Sequence, residues 1–260
     1  LPLSTVWCFF NYLKKSLSNP YKSRIKVICI GNINIGGSGK TPLCISLYKW
    51  LKKWGFEPIF LVGGYKAKTS GPIQVELNHN ENIFGDESLL LAKVGPTIIS
   101  KNRFLGIKFI ENLKKKYDIV IMDDGIQNYQ IYKNINLLAV DKNLLFGNEY
   151  CLPAGPLRET FGTCMRKIDA VIMTGNENKN QTKLNLKKPT FNSFISAKKN
   201  KFHNQKFLAF CGIANPVKFY DTLKLMNFNI VKSICFPDHY YYKENDIRIL
   251  IEKAIKLNLK

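Results

Sequence analysis

The sequence predicts an α/β fold: a parallel sheet sandwiched by helices, followed by a second, smaller α/β lobe. Three observations carry that expectation. Short, unbroken runs rich in Val and Ile alternate with stretches of helical periodicity, the pattern of strands buried on both faces between crossover helices. A glycine-rich segment, Asn34-Ile35-Gly36-Gly37-Ser38-Gly39-Lys40-Thr41, stands directly between the first such strand and the first such helix, which makes the sheet P-loop-type. Finally, 260 residues with 45% hydrophobic and 22% charged content supply enough apolar surface for one large unit or two unequal lobes, and exclude a disordered chain or a disulfide-held miniprotein.

Residues 1–25 make the first segment. Leu3, Val6, Trp7, Phe10, Leu13 and Leu17 recur at helical spacing, and Lys14, Lys15, Lys22, Arg24 and Lys26 follow closely. An amphipathic helix is expected, with two uses open: packing on the protein's own core, or lying in a lipid interface with Trp7, Phe9 and Phe10 inserted. The apolar part precedes the basic part and no small-residue cleavage site follows, which disfavours a signal peptide. A start at Leu rather than Met leaves room for an upstream piece.

Residues 26–185 make the expected core. Strands are expected at 27–30, 59–62, 98–99, 119–122, 137–140 and 171–173, with helices at 43–54, closed by Gly55, and at 87–93 and 104–116. The stretch 176–201 is rich in Lys and Asn with little apolar period, and reads as a linker or exposed ribbon. Residues 186–260 make the smaller lobe, with strands at 207–210 and 230–234, helices at 219–226 and 244–257, and a turn between Cys211 and Pro216. No strand follows the last helix, so this lobe is expected to be cut short.

Thirty-nine Lys and Arg against nineteen Asp and Glu give a net charge of +20, which favours an anionic partner such as nucleic acid, acidic lipid or a phosphorylated substrate. The seven cysteines (Cys8, Cys29, Cys44, Cys151, Cys164, Cys211, Cys235) are scattered and include no C-x-x-C pair. They suggest neither zinc nor a disulfide framework and fit a reducing cytosol. No apolar run approaches the roughly 18 residues of a membrane span.

The chemistry is concentrated in a few segments. In the glycine-rich loop, Gly36, Gly37 and Gly39 let backbone N–H groups turn toward phosphate oxygens, Lys40 can reach β and γ phosphates, and the Thr41 hydroxyl can ligate Mg²⁺. Asn34 stands where the usual pattern has its first glycine, and Asn tolerates a left-handed backbone. The plainer reading is a Gly-rich turn. The run Ile119-Val120-Ile121-Met122-Asp123-Asp124-Gly125 is a strand ending in two acids, where Asp123 can hold magnesium or simply cap the strand. In Gly85-Asp86-Glu87-Ser88, Asp86 is either a helix cap or the acceptor of a proton from an attacking hydroxyl. Pro237-Asp238-His239-Tyr240 is either a surface turn or a place where His239 shares a proton with a carboxylate. Arg103 and Arg158, in or beside loops, can clamp a phosphate or lie over their neighbours.

In their order these pieces resemble the tetraacyldisaccharide 4'-kinases, the lipid A 4'-kinases of Gram-negative envelope synthesis. The matching residues are Gly31-Asn32, the loop through Thr41-Pro42, Gly64-Tyr65-Lys66, Gly85-Asp86-Glu87, Asp123-Asp124-Gly125-Ile126-Gln127, Phe146-Gly147-Asn148, the stretch from Leu152 to Glu159, Cys211-Gly212-Ile213-Ala214-Asn215-Pro216 and Phe236-Pro237-Asp238-His239. The resemblance runs from the first helix to about Glu244. It implies transfer of the γ-phosphate of ATP to the 4'-hydroxyl of a tetraacyldisaccharide 1-phosphate, giving lipid IVA, with ATP and Mg²⁺ as cofactors. By motif, Asn34, Ile35, Gly36, Gly37, Ser38, Gly39, Lys40 and Thr41 would hold the nucleotide, and Thr41 and Asp123 the metal. Asp86 with His239 would act as the base alongside Lys40, and Asp124, Gln127, Arg103, Arg158, Tyr65 and Glu87 would contact substrate or phosphate. The implied partners are the lipid disaccharide and the anionic inner-membrane surface, met peripherally from the cytoplasmic face, with no specific nucleic acid.

Three departures stand out. Asn128, Tyr129 and Gln130 follow Gln127 where the family usually has His, Tyr and Arg; Gly63 replaces an Arg usual before Gly-Tyr; and the chain stops at Lys260 where relatives continue into a strand. Two other classes remain open. A GTPase or metallochaperone would share the loop, although no Asn-Lys-x-Asp segment is present, and a basic nucleic-acid-binding protein would share the charge, although the lysines are scattered.

Overall fold

The computed structural model describes residues 2–65, 67–77, 81–175, 186–194, 205–213, 216–238 and 240–260, apart from the side chains of Phe10, Tyr12, Glu81, Asn82 and Lys218. The chain divides into two units, Leu1–Phe194 and Ile195–Lys260.

In the first unit the elements run α1 (Pro2–Ser16), β1 (Lys26–Gly31), α2 (Lys40–Lys53), β2 (Pro58–Val62), β3 (Ile73–Gln74), α3 (Glu81–Phe84), α4 (Asp86–Ala92), β4 (Thr97–Ile99), α5 (Arg103–Glu111), β5 (Ile119–Asp123), β6 (Ile135–Asp141), α6 (Phe161–Met165), β7 (Ala170–Thr174) and β8 (Thr190–Ser193). The strands form one sheet in the order β3-β4-β2-β5-β1-β6-β7-β8. Every pairing is parallel except β3 with β4. β2 and β5 are buried at every residue, as unbroken apolar strands covered on both faces must be. Alternate residues serve opposite faces: Ile59, Leu61, Val120 and Met122 belong to one core cluster, Phe60, Val62 and Ile121 to the other. β1 lies at the centre, with Ile30 opposite Asp123 of β5 and Gly31 opposite Leu138 of β6. The connection after β1 leads to one side of the sheet while β6 lies on the other, so the carboxyl end of β1 is a switch point where such sheets open a crevice.

The six core strands expected from the sequence are all present, each extended by one to three residues. α5 is shorter than the expected 104–116. Beyond its C-cap at Asn112 come three adjacent lysines, Lys114, Lys115 and Lys116, and then Asp118, whose N–H and carboxylate both bond the Glu57 backbone and turn the chain into β5. β8 makes part of the stretch 176–201, expected as a linker or exposed ribbon, an exposed edge strand. Its four polar and aromatic residues are mostly exposed, as an edge strand allows, and backbone pairing with β7 from Val171 to Thr174 makes it without an apolar signature. The division between units accordingly falls after Phe194, later than the expected boundary at 185/186. Residues 176–185 and 195–204 of that stretch lie outside the described residues. β3, α3 and α6 are too short for periodicity to reveal.

The second unit contains β9 (Lys206–Cys211), α7 (Pro216–Leu225), β10 (Asn229–Cys235) and α8 (Glu244–Lys256). β9 and β10 pair in parallel, so α7 is the crossover of a βαβ unit. α7 begins three residues before the expected helix because Pro216, with fixed φ and no N–H, is well suited to a first helical turn. Phe236 stacks on Tyr240, while Tyr242 meets Phe236, Tyr240 and Phe210 edge-on and Phe210 meets Phe236 edge-on. After α8 the chain returns to β9, where Lys260 bonds the backbone of Lys206 and Leu208.

Phe60, fully buried in the middle of β2, stacks on Tyr48 of α2 with ring centroids 4.8 Å apart. Phe60→Ala is expected to lower the unfolding free energy by about 3–5 kcal/mol, read as a shifted midpoint in urea, because β2 is held on both edges and cannot collapse into the cavity. A midpoint within error of the parent would show that the sheet and α2 are not packed as described.

Candidate active site

The loop between β1 and α2 is shaped by its own backbone needs. Gly36 and Gly39 have φ of 113° and 77°, which L side chains rarely adopt, and a Cβ on Gly36 or Gly37 would meet nothing within 4 Å, so open space lies over both. Asn32, fully buried, donates through Nδ2 to the carbonyls of Asn34 (2.7 Å) and Gly36 (3.1 Å) and ties the loop into a curl. Asn34 is not left-handed, as the expectation had it. It forms an antiparallel bridge with Leu157, and its side-chain amide donates to the Leu145 carbonyl at 2.7 Å. A glycine is not required there because the segment is extended. Thr174 at the end of β7 donates to the Ser38 carbonyl at 2.9 Å and supports the loop from the other side.

The register of β1 with β5 brings the two acids to this loop. The Thr41 hydroxyl lies 3.3 Å from Asp123 Oδ2, and Lys40 Nζ lies 3.8 Å from Asp124 Oδ1. Asp123 is buried, and its Oδ1 has no protein partner. Burial pushes its carboxyl from 3.8 up to about 7; Lys40 opposes the rise, while the charges of Glu87 and Asp124 add to it. A buried oxygen left unpaired beside a hydroxyl fits a divalent cation. Mg²⁺ commonly takes only one or two protein ligands and keeps its waters, which agrees with the finding that no cluster of three His, Cys, Asp or Glu exists among the described residues.

Next to this pair is an open cleft lined by Gly64, Tyr65, Glu87, Arg103, Asp123 and Asp124. Glu87 and exposed Tyr65 thus share a space with Asp123. Gly85 approaches the Tyr65 backbone so closely that a Cβ would sit 2.8 Å from its carbonyl oxygen, which locks the Gly64-Tyr65 and Gly85-Asp86-Glu87 segments together. Asp86 opens α4, exposed, with Oδ1 accepting the Glu87 N–H at 2.9 Å. His239 and Lys66 lie outside the described residues.

The remaining candidates are placed in supporting roles. Arg103 is buried and donates to the carbonyls of Ser100 (2.7 Å) and Asp123 (3.3 Å), so it fastens the end of β5. Its guanidinium fills the space beside Gly63, where any Cβ would stand 2.5 Å from it. Arg158 Nη1 donates to both oxygens of Asp124, at 2.8 and 2.9 Å. Gln127 Nε2 donates to the Asn32 carbonyl (3.1 Å) and to Glu159 (3.0 Å). Glu159, buried and ion-paired with Lys167 at 2.8 Å, was given no role by the sequence reading. A carboxylate at the end of Pro-Leu-Arg-Glu was visible, but nothing in the sequence showed that it folds under Gln127.

A glycine loop between strand and helix, a lysine and a hydroxyl at its end, and a buried acid on the adjoining strand define a P-loop site for phosphoryl transfer. The tetraacyldisaccharide-1-P 4'-kinase family (LpxK) matches residues 1–259, and the chain belongs to that family. Similar proteins include tetraacyldisaccharide 4'-kinases of Rickettsia canadensis, 36% identical over 262 residues covering 99% of this chain and 79% of the relative, and of Rickettsia akari, 34% identical over the same spans. A crystal structure of LpxK from Aquifex aeolicus in complex with ATP superposes with a TM-score of 0.76 at 26% identity, over 94% of this chain and 84% of that one. These relatives favour neither the GTPase or metallochaperone reading nor the nucleic-acid reading.

The Asp123 carboxyl has a consequence for stability. Its folded pKa of about 7 lies above its ordinary 3.8, so in that interval the folded protein keeps a proton that the unfolded chain has released. Stability from this group is therefore present at low pH and lost as pH rises toward about 7. Without metal or nucleotide, Asp123→Asn is expected to melt above the parent near about pH 8, the gap closing toward about pH 4. Parallel melting curves at both pH values would show that Asp123 is not desolvated.

Proposed function

We propose that the protein transfers the γ-phosphoryl group of ATP to the 4'-hydroxyl of a tetraacyldisaccharide 1-phosphate, producing lipid IVA at the cytoplasmic face of the inner membrane. The observation that carries this reading is the pairing of Lys40 and Thr41 with Asp124 and Asp123 in a chain of the 4'-kinase family. Phosphoryl transfer needs positioning and charge neutralisation more than covalent chemistry, and the residues divide accordingly. The loop N–H groups and the Lys40 ammonium take the phosphates, and Thr41 with Asp123 would hold Mg²⁺. When bound there, Mg²⁺ neutralises charge on the phosphate oxygens. Asp86 is the base for the sugar hydroxyl, assisted by His239, while Glu87, Tyr65, Arg103, Gln127 and Arg158 line or brace the acceptor side.

α1 supports a membrane location. Among the described residues no helix is long and apolar enough to cross a membrane. α1, however, turns Ser4, Cys8, Asn11 and Leu13 toward the protein and leaves Leu3, Val6 and Phe9 exposed, with Lys14 and Lys15 in its last turn. A helix with exposed apolar residues and a basic end suits a lipid interface, and the +20 charge suits anionic headgroups.

With radiolabelled ATP and extracted disaccharide lipid, the parent is expected to yield a bis-phosphorylated product. Lys40→Ala is expected to lose about 10²–10³-fold in turnover and Asp86→Asn about 10²–10⁴-fold, with His239→Ala less impaired than Asp86→Asn. Near-parent turnover in Asp86→Asn would sink the assignment of the base, and absence of any labelled lipid with the parent would sink the reaction.

A further inference from the structure

α1 is fastened to the nucleotide site by a continuous set of hydrogen bonds. Trp7 Nε1 and Asn11 Nδ2, one helical turn apart, converge on a single acceptor, the Arg158 carbonyl, at 2.8 and 3.0 Å. Ser4 Oγ, on the same side of the helix, donates to the Cys151 carbonyl at 2.9 Å. Residues 151–158 therefore form a strap gripped by α1 at both ends. The strap is in turn zipped to the start of the phosphate loop: Arg158 N–H donates to the Ile33 carbonyl at 2.8 Å, Ile35 N–H donates to the Pro156 carbonyl at 2.9 Å, and Asn34 bridges Leu157 between them. From Arg158 the side chain continues to both oxygens of Asp124, and Asp124 faces Lys40.

We propose that Trp7 and Asn11 are positioning residues for phosphoryl transfer: by fixing the Arg158 peptide they hold Asp124, and through it Lys40, in register with the phosphate loop. This deepens the kinase reading and rests on it. Leu3, Val6 and Phe9 of α1 remain exposed, and two side-chain donors directed to one distant carbonyl are hard to account for by membrane attachment alone. Through them the element that meets the lipid surface and the element that meets the nucleotide share one strap.

The test uses the full chain with Trp7→Phe, which keeps an apolar ring and removes the donor, combined with Asn11→Ala. Measured are the Kd for a fluorescent ATP analogue, kcat and KM with ATP and disaccharide lipid, and co-sedimentation with phosphatidylglycerol vesicles. The double variant is expected to weaken analogue binding or lower kcat by at least about tenfold, with vesicle binding and the KM for lipid within about twofold of the parent; Asn11→Gln, which restores an amide donor, is expected to recover part of the loss. Arg158→Met supplies the second arm: in that background the α1 substitutions are expected to cost nothing further, since the link they feed is already cut. Unchanged nucleotide binding and kcat in the double variant, a loss confined to vesicle binding, or full additivity with Arg158→Met would each overturn the proposal. Analogue binding needs no acceptor, so it separates this outcome from failure of the kinase reading, which would appear as a parent that binds nucleotide but labels no lipid.

Discussion

The site depends on one register. Pairing Ile30 of β1 with Asp123 of β5 sets the last residue of an all-apolar strand beside the loop that follows the neighbouring strand. Shifted by one residue, the pairing would turn Asp123 to the opposite face, because successive side chains of a strand alternate. The register is enforced by burial on both sides of the sheet: Val120 and Met122 must reach one core, Ile121 the other. The hydrophobic pattern that makes the sheet stable thus also places the acid. The cost is a carboxyl held away from water with one oxygen unpaired, a state that a cation bound there would relieve.

Around this point the protein spends buried polar contacts on geometry. Asn32 shapes the loop, Arg103 ties down the Asp123 carbonyl, and Glu159 holds Gln127 against the Asn32 carbonyl while pairing with Lys167. None of these needs to touch a ligand to matter. Each fixes a backbone atom within a residue or two of a group that would, and held groups lose little entropy when a substrate arrives.

Much of this was legible in the sequence, and the reason is physical. Buried parallel strands must be continuous and apolar, so β1, β2, β5, β6 and β7 declare themselves, and a glycine loop at a strand–helix junction has few other uses. What stayed hidden lacks a local signature. β8 is an edge strand made by backbone pairing, and its Thr190, Phe191 and Asn192 give no alternation to read. The roles of Arg103 and Arg158 depend on partners 20 and 34 residues away in sequence, and a planar fork drawn for a phosphate is equally suited to a carbonyl or a carboxylate. Asn34, expected as a tolerated left-handed residue, is extended and useful through its side chain. The apolar periodicity of α1 marks it as amphipathic, but periodicity cannot say which side faces inward.

The placement of α1 bears on how charge is distributed. The chain carries +20 in total, yet around the loop three acids, Glu87, Asp123 and Asp124, stand against three cations, Lys40, Arg103 and Arg158. Arg158 pairs with Asp124 and Lys40 faces it, so these cations are not a simple sink for anions. The surplus of positive charge lies elsewhere, including the basic end of α1 and the scattered lysine pairs, where its range is about a Debye length. On the membrane reading proposed above, long-range attraction and short-range discrimination fall to different residues. The strap at 151–158, gripped by the helix at its ends and bonded to the phosphate loop along its length, is where the two meet.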